Sequence, residues 1–67
     1  MNTTEIVQRI KEAKQEKKLT LSEIASESGV AIRTVNRIFA GEDVRFSSLQ
    51  AVLETLDLII YIEREAA

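Results

Sequence analysis

Two glycines set the strongest constraint on how this chain of 67 residues can fold, because each follows a short helical pattern. Residues 19–41 have the sequence LTLSEIASESGVAIRTVNRIFAG. Thr20 and Glu23 have the spacing of a capping box, in which two residues bond each other's backbone N–H groups at a helix start. Gly29 follows nine residues after Thr20, and glycine readily adopts the left-handed conformation that ends a helix. We therefore expect one short helix, a tight turn, and a second helix over about residues 31–40.

The side chains around this turn have the sizes that two helices crossing at a steep angle require. Ala25 is small enough for close approach, and Gly29 supplies the turn four positions later. Apolar residues then resume at helical spacing and are expected to press the second helix back onto the first. The small core predicted around the turn consists of Ile24, Val30, Val35 and Ile38.

A first helix is expected before this segment, over about residues 3–17. Asn2 and Glu5 have capping-box spacing at its start. Its apolar face recurs at helical spacing, at Ile6, Ile10 and Ala13. Together with the two helices around the turn, it predicts a mainly helical core.

After the loop that follows Gly41, the pattern predicts a fourth helix and then a change of period. Ser47 and Gln50 resemble a third capping box, and the helix should end near Asp57. The run at about residues 58–62 is β-branched and aromatic, which is typical of a strand, although it could instead extend the fourth helix. A lone strand leaves one row of backbone groups unpaired, so we expect it to pair with the same strand of a second copy. The expected interface residues are Leu58, Ile59, Ile60, Tyr61 and Ile62.

The composition excludes several functional classes. The chain has no cysteine and no histidine, so disulfides and the usual zinc ligands are absent. No acidic residue has a histidine, cysteine or glycine-rich phosphate loop near it, so we expect neither an enzyme nor a cofactor. No apolar run approaches the roughly 18 residues of a membrane span, and no secretory core is recognisable, which predicts a cytoplasmic protein.

The charge is unevenly distributed along the chain. The formal net charge is −2, which by itself argues against a nucleic-acid partner. However, residues 1–45 contain eight of the nine basic residues against seven acids, whereas residues 46–67 contain one basic residue against four acids. The positive charge is therefore concentrated in the part of the chain that contains the turn.

The turn segment resembles the Xre family of helix-turn-helix regulators, which includes the Cro and phage-repressor DNA-binding domains. The similarity extends over about residues 5–58. It implies a single mainly α domain over residues 1–67: a compact four-to-five-helix, repressor-like fold with its helix-turn-helix core at 20–40. The short C-terminal strand at about 58–62 would pair across a homodimer. The matching residues are Leu19, Thr20, Ala25, Gly29, Val30, Thr34, Val35, Arg37, Ile38 and Gly41.

The resemblance also implies which residues contact DNA. Family positions that contact bases fall on Ile32, Arg33 and Arg37, with Asn36 beside them. Arginine can bond guanine through two acceptors, and asparagine can do the same for adenine. Positions that contact phosphate fall on Lys14, Ser22 and Thr34. The alternative for the two arginines is a solvated surface or pairing with Glu27 or Glu42.

Three residues depart from the family pattern. Leu21 replaces a frequent glutamine, which removes one polar phosphate contact. Ala31 stands at the start of the second helix of the turn, the helix that enters the major groove in this family. The family usually has a serine or threonine cap there, and alanine is a poor cap. Phe39 replaces an acidic or polar residue, and we expect it to lie in the dimer interface.

These features predict a homodimeric transcriptional regulator that acts as a repressor and binds a palindromic site in double-stranded DNA. One alternative is the antitoxin component of a toxin-antitoxin pair, which would bind both DNA and a toxin, and whose acidic tail at Glu63–Ala67 could dock on a basic toxin. A further alternative is a protein-interaction module that keeps the helix-turn-helix fold without binding DNA. Net acidity, Leu21 and Ala31 favour that last alternative.

Overall fold

The computed structural model describes residues 3–61, and over that range the protein consists of four α-helices. These are α1 (Thr3–Lys17), α2 (Leu21–Ser28), α3 (Ile32–Phe39) and α4 (Phe46–Thr55). Helix α2 packs against α3 and α4, and α3 also contacts α1 and α4. Within the described range, none of the helices is both long enough and apolar enough to cross a membrane.

The hydrophobic core draws side chains from all four helices, and α3 contacts each of the others. The predicted apolar faces are confirmed at its centre, where Ile10 of α1, Ile24 of α2 and Val35 of α3 are fully buried. The buried cluster consists of Ile10, Ala13, Ile24, Val35, Ile38, Phe39, Val52, Leu53 and Leu56. Because α3 contributes three of these side chains, its orientation is fixed by the core.

Helix α2 begins and ends at the predicted residues. The backbone N–H of Glu23 donates to Thr20 Oγ1 at 3.1 Å, and the N–H of Thr20 donates to Glu23 Oε1 at 3.0 Å. Both halves of the capping box are therefore formed. Gly29 has φ 75°, and its N–H donates to the carbonyl of Ala25 at 3.0 Å. This left-handed residue ends α2 and starts the turn toward α3.

Helix α1 spans the predicted residues, although Asn2 of its expected capping box lies outside the described range. Its C-terminal turn closes through Lys18, which has φ 55°. The backbone N–H of Leu19 then donates to the carbonyl of Lys14 at 3.2 Å. This bond turns the Leu19 side chain onto the core, where it is half-buried next to the start of α2.

Helix α4 begins earlier than the sequence predicted. Its N-cap is Arg45, which makes no side-chain cap bond, so the expected capping box of Ser47 and Gln50 is wrong. Instead, the Arg45 carbonyl accepts hydrogen bonds from the backbone N–H groups of Ser48 and Leu49, both at 3.1 Å. Val44 packs on the core just before the helix, so tertiary packing sets the start of α4.

The segment after α4 leaves the helix abruptly. Asp57 has φ 57°, and the N–H of Leu58 donates to the carbonyl of Leu53 at 2.8 Å, so the alternative of a continuing helix is wrong. From Leu58 onward the side chains alternate. Leu58 and Ile60 pack against the core, whereas Ile59 is 90% exposed and Tyr61 is 79% exposed. Residues 58–61 form no strand in the single chain, and Ile62 lies outside the described range.

The structure corrects the expected position of Phe39. Its side chain is only 9% exposed in the single chain and belongs to the core cluster. Phe39 is the last residue of α3, and it lines a groove together with the half-buried Leu21 and Lys14. Its burial therefore needs no second copy.

Replacing Thr20 by alanine should lower the free energy of unfolding by about 1 kcal/mol, because it removes the side-chain half of the α2 capping box. Urea denaturation followed by circular dichroism measures this change. The control is Ser47→Ala, which should change stability by less than about 0.5 kcal/mol because Ser47 lies exposed inside the first turn of α4. A larger loss at Ser47 than at Thr20 would contradict the observed helix starts.

Candidate nucleic-acid interface

Helix α3 presents one polar face to solvent. Ile32, Arg33, Asn36 and Arg37 are all exposed, and they alternate with the side chains that α3 buries. Residues four apart on a helix point in the same direction, so Ile32 and Asn36 form one row and Arg33 and Arg37 form a parallel row. The helix contains no acidic residue. The four residues predicted to contact bases therefore share one accessible face, which we call the α3 face.

The turn before α3 is held by backbone groups and one hydroxyl. Ser28 Oγ accepts a hydrogen bond from the N–H of Val30 at 3.2 Å, which satisfies a donor within the turn. Sequence reasoning did not identify this role for Ser28. Ala31 is the N-cap of α3 and makes no side-chain cap bond, as its residue type predicts. Its carbonyl accepts from the N–H groups of Thr34 and Val35 at 2.9 and 3.0 Å.

The charged groups on the α3 face are not neutralised by neighbouring acids. Within residues 3–61, Lys17 forms an ion pair with Asp57. Neither α3 arginine is paired, within that range, with an acid such as Glu27 or Glu42. The pairing alternative for these arginines is therefore not found. In the same part of the chain, no three acidic side chains lie close enough together to hold a metal ion.

A cleft of about 530 Å³ lies beside the α3 face, between α3 and the start of α4. We call it the α3–α4 cleft. Thr34, which was predicted to contact phosphate, lies here with Arg37 of the α3 face. The lining residues are Thr34, Arg37, Asp43, Val44, Arg45 and Ser48. Arginine and hydroxyl side chains are common phosphate ligands, so this cleft suits an anionic backbone.

The loop between α3 and α4 reaches the cleft because of the turn at Gly41. Gly41 has φ 78°, its N–H donates to the carbonyl of Ile38 at 3.1 Å, and the N–H of Glu42 donates to the carbonyl of Arg37 at 3.0 Å. These bonds fold the chain back alongside α3. Sequence reasoning missed Arg45 and Ser48 as site residues. The available signal was a basic residue four positions after a helix-ending glycine.

The other two predicted phosphate contacts lie away from the cleft. Ser22 is exposed in the first turn of α2. Lys14 is half-buried on α1 and lines a separate groove of about 490 Å³ together with Leu21 and Phe39. The structure therefore brings Thr34 next to the base-contacting candidates but places Lys14 on a different part of the surface.

Comparison with known protein families matches residues 10–58 to a family described as helix-turn-helix. The matched range covers more than half of the 67 residues and includes α2, α3 and α4 completely. It therefore contains both the α3 face and the α3–α4 cleft. No curated protein matches the chain.

Replacing Ala31 by serine should raise the free energy of unfolding by roughly 0.5–1 kcal/mol, because a serine oxygen at the N-cap can accept a bond from the first turn of α3. Thermal and urea unfolding measure this gain. Ala40→Ser is the matched control, since Ala40 is an exposed alanine at the other end of α3 where no free N–H awaits a cap. Equal effects at both positions would show that capping is not the cause.

Proposed function

The chain belongs to the Xre-like helix-turn-helix family, and we propose that it is a sequence-specific regulator of transcription that represses promoters by binding double-stranded DNA. The observation that carries this proposal is the α3 face, where two unpaired arginines, an asparagine and an isoleucine are exposed together. The core buries the opposite side of α3, so this face is held rigidly toward solvent. A rigid, cationic helix surface suits the major groove of DNA, which is wide enough to admit an α-helix.

The chemistry of the α3 face supports base recognition. Arg33 and Arg37 can each donate two hydrogen bonds to the O6 and N7 acceptors of guanine. Asn36 can donate to N7 and accept from N6 of adenine, and Ile32 can contact a thymine methyl group. Because these groups project from successive turns of one helix, they would contact neighbouring base pairs in one groove.

Phosphate contacts would fix the orientation of α3 without recognising sequence. The α3–α4 cleft supplies Arg45 and the hydroxyls of Thr34 and Ser48 beside α3. Ser22, at the exposed start of α2, supplies another hydroxyl, and Lys14 adds a cation from α1. These interactions release counterions from DNA, so binding should weaken steeply as the salt concentration rises.

We further propose that the protein binds a palindromic operator as a homodimer through its C-terminal segment. Ile59 and Tyr61 point outward, and Phe46 at the start of α4 is also 61% exposed. Phe46 and Ile59 line the same groove, so these two side chains belong to one continuous apolar surface. A two-fold interface joins the same patch of both copies, so each copy would bury its apolar surface against that of the other. Two α3 faces would then contact half-sites roughly 34 Å apart.

The antitoxin alternative rests on the acidic tail at residues 63–67, which lies outside the described range. It therefore stays a prediction. The protein-interaction alternative is favoured by Ala31, which leaves α3 without a side-chain cap. A missing cap lowers the stability of the helix but leaves the positive charge of its arginines unchanged. DNA binding accounts for the exposed arginines of the α3 face, and the antitoxin alternative includes DNA binding. The protein-interaction alternative does not account for them.

Replacing Arg37 by alanine should weaken binding to a selected DNA site by about 5- to 150-fold, because a bidentate arginine–guanine contact contributes about 1–3 kcal/mol. Sites are first selected from random duplexes, and affinity is then measured by fluorescence anisotropy. The control is Lys11→Ala, which removes one exposed cation from α1, outside the cleft, and should change affinity less than about threefold. Equal losses of affinity in the two variants would indicate that only net charge matters. If the selection yields no preferred site, that result would contradict sequence-specific binding.

Replacing Ile59 by lysine should dissociate the dimer while leaving the fold intact, because the side chain is exposed in the single chain. Burying a lysine charge in the two-fold interface would oppose association. Sedimentation equilibrium measures the monomer–dimer balance, and thermal melting checks the fold. The matched control is Ile32→Lys, an exposed isoleucine on α3 that should leave the dimer unchanged. A wild-type protein that stays monomeric, or an Ile59→Lys variant that stays dimeric, would contradict this interface.

A further inference from the structure

The α3–α4 cleft contains one group that does not suit phosphate binding. Arg37 and Arg45 contribute two positive charges, and Thr34 and Ser48 contribute hydroxyls. Asp43 also lines this cleft and is exposed, so its negative charge lies among the charges of the cleft wall. The charged side chains that line the cleft therefore sum to +1, where the two arginines alone would give +2.

Asp43 is not engaged in holding the cleft together. Within residues 3–61, the ion pair of the structure is between Lys17 and Asp57, so the Asp43 carboxylate does not pair with Arg37 or Arg45. The backbone bonds that shape the loop are made by Gly41 and Glu42. The carboxylate is therefore free to interact with whatever enters the cleft.

We propose that Asp43 is an electrostatic restraint that lowers the sequence-independent affinity of the cleft for DNA. This inference rests on the proposed DNA-binding function. A phosphate that enters the cleft is attracted by the two arginines and repelled by Asp43. Charges farther away than about 8 Å are largely screened at physiological salt, so an acid inside the cleft counts far more than one elsewhere on the surface.

The restraint shifts the balance between the two kinds of DNA contact. Phosphate contacts are the same on every sequence, whereas base contacts on the α3 face depend on sequence. Weakening the first kind lowers affinity for all duplexes by the same factor. A larger share of the remaining binding free energy then comes from the α3 face.

The test compares Asp43→Asn with Glu42→Gln in the full chain. Both changes remove one negative charge from adjacent exposed residues, but Glu42 does not line the cleft. Affinity is measured by fluorescence anisotropy on a random-sequence duplex and on a selected duplex, over a series of salt concentrations. Circular dichroism melting confirms that each variant is folded, and Asp43→Ser provides a second uncharged side chain.

Asp43→Asn should bind both duplexes more tightly by the same factor, about eightfold at roughly 0.1 M salt. One additional effective phosphate contact steepens the slope of log K against log salt concentration by about 0.9. If wild type and variant bind equally at 1 M salt, the variant then binds about eightfold more tightly at a tenfold lower salt concentration. Asp43→Ser should behave alike, and Glu42→Gln should give a clearly smaller gain in affinity because Glu42 does not line the cleft.

Three outcomes would overturn the proposal. Equal gains for the Asp43 and Glu42 variants would show only the effect of net charge. Unchanged affinity for Asp43→Asn would show that phosphate does not enter the cleft. Weaker binding to the selected duplex alone would make Asp43 a base-contacting residue, since aspartate can accept a bond from cytosine N4. If neither the wild type nor any variant binds either duplex, the proposed function itself fails, and this result is distinct from the other three.

Discussion

The left-handed turn at Gly29 is the constraint on which the direction of the α3 face depends. Apart from Gly29 and its two chain neighbours, no atom lies within 4 Å of where a Cβ would stand at Gly29, so the position requires positive φ and not space. An L-residue in this conformation costs about 1–2 kcal/mol, which is a large part of the stability of a small domain. On either side of the turn, Ile24 and Val35 are fully buried and lock the two helices together. A different turn would change the direction in which α3, and with it the α3 face, points away from the core.

The helices could be predicted where the signals are local. Thr20 with Glu23 and the two glycines define helix ends through bonds between residues a few positions apart, and these bonds are present. The start of α4 could not be predicted in this way. A serine and a glutamine at the right spacing were outweighed by the packing of Val44 on the core, which sequence spacing does not show. The same limitation explains Phe39, whose burial depends on the space left between three helices.

The two parts of the candidate site also differ in whether local sequence signals predict them. The α3 face follows from helical periodicity alone, since residues four apart must share a face, and its four residues are exposed together. The α3–α4 cleft does not follow from periodicity, because Arg45 comes from a loop that reaches α3 only after the turn at Gly41. In the sequence, Arg45 is one of the eight basic residues within residues 1–45, and the sequence does not show which side chains lie beside it. Opposing charges in one cleft are a property of the fold, which net charge conceals.

Helix α4 connects the two surfaces to which functions are proposed. Ser48 lines the cleft beside α3, whereas Phe46 and Gln50, on the same two turns of helix, line the groove that also contains Ile59. Buried Val52 and Leu53 anchor this helix in the core, so the two surfaces cannot shift relative to each other without disturbing packed side chains. A second copy docked at Ile59 would therefore hold its α3 face at a set distance and angle from the first. Binding of one half-site would then make binding of the other effectively intramolecular, which raises operator affinity without any additional base contact.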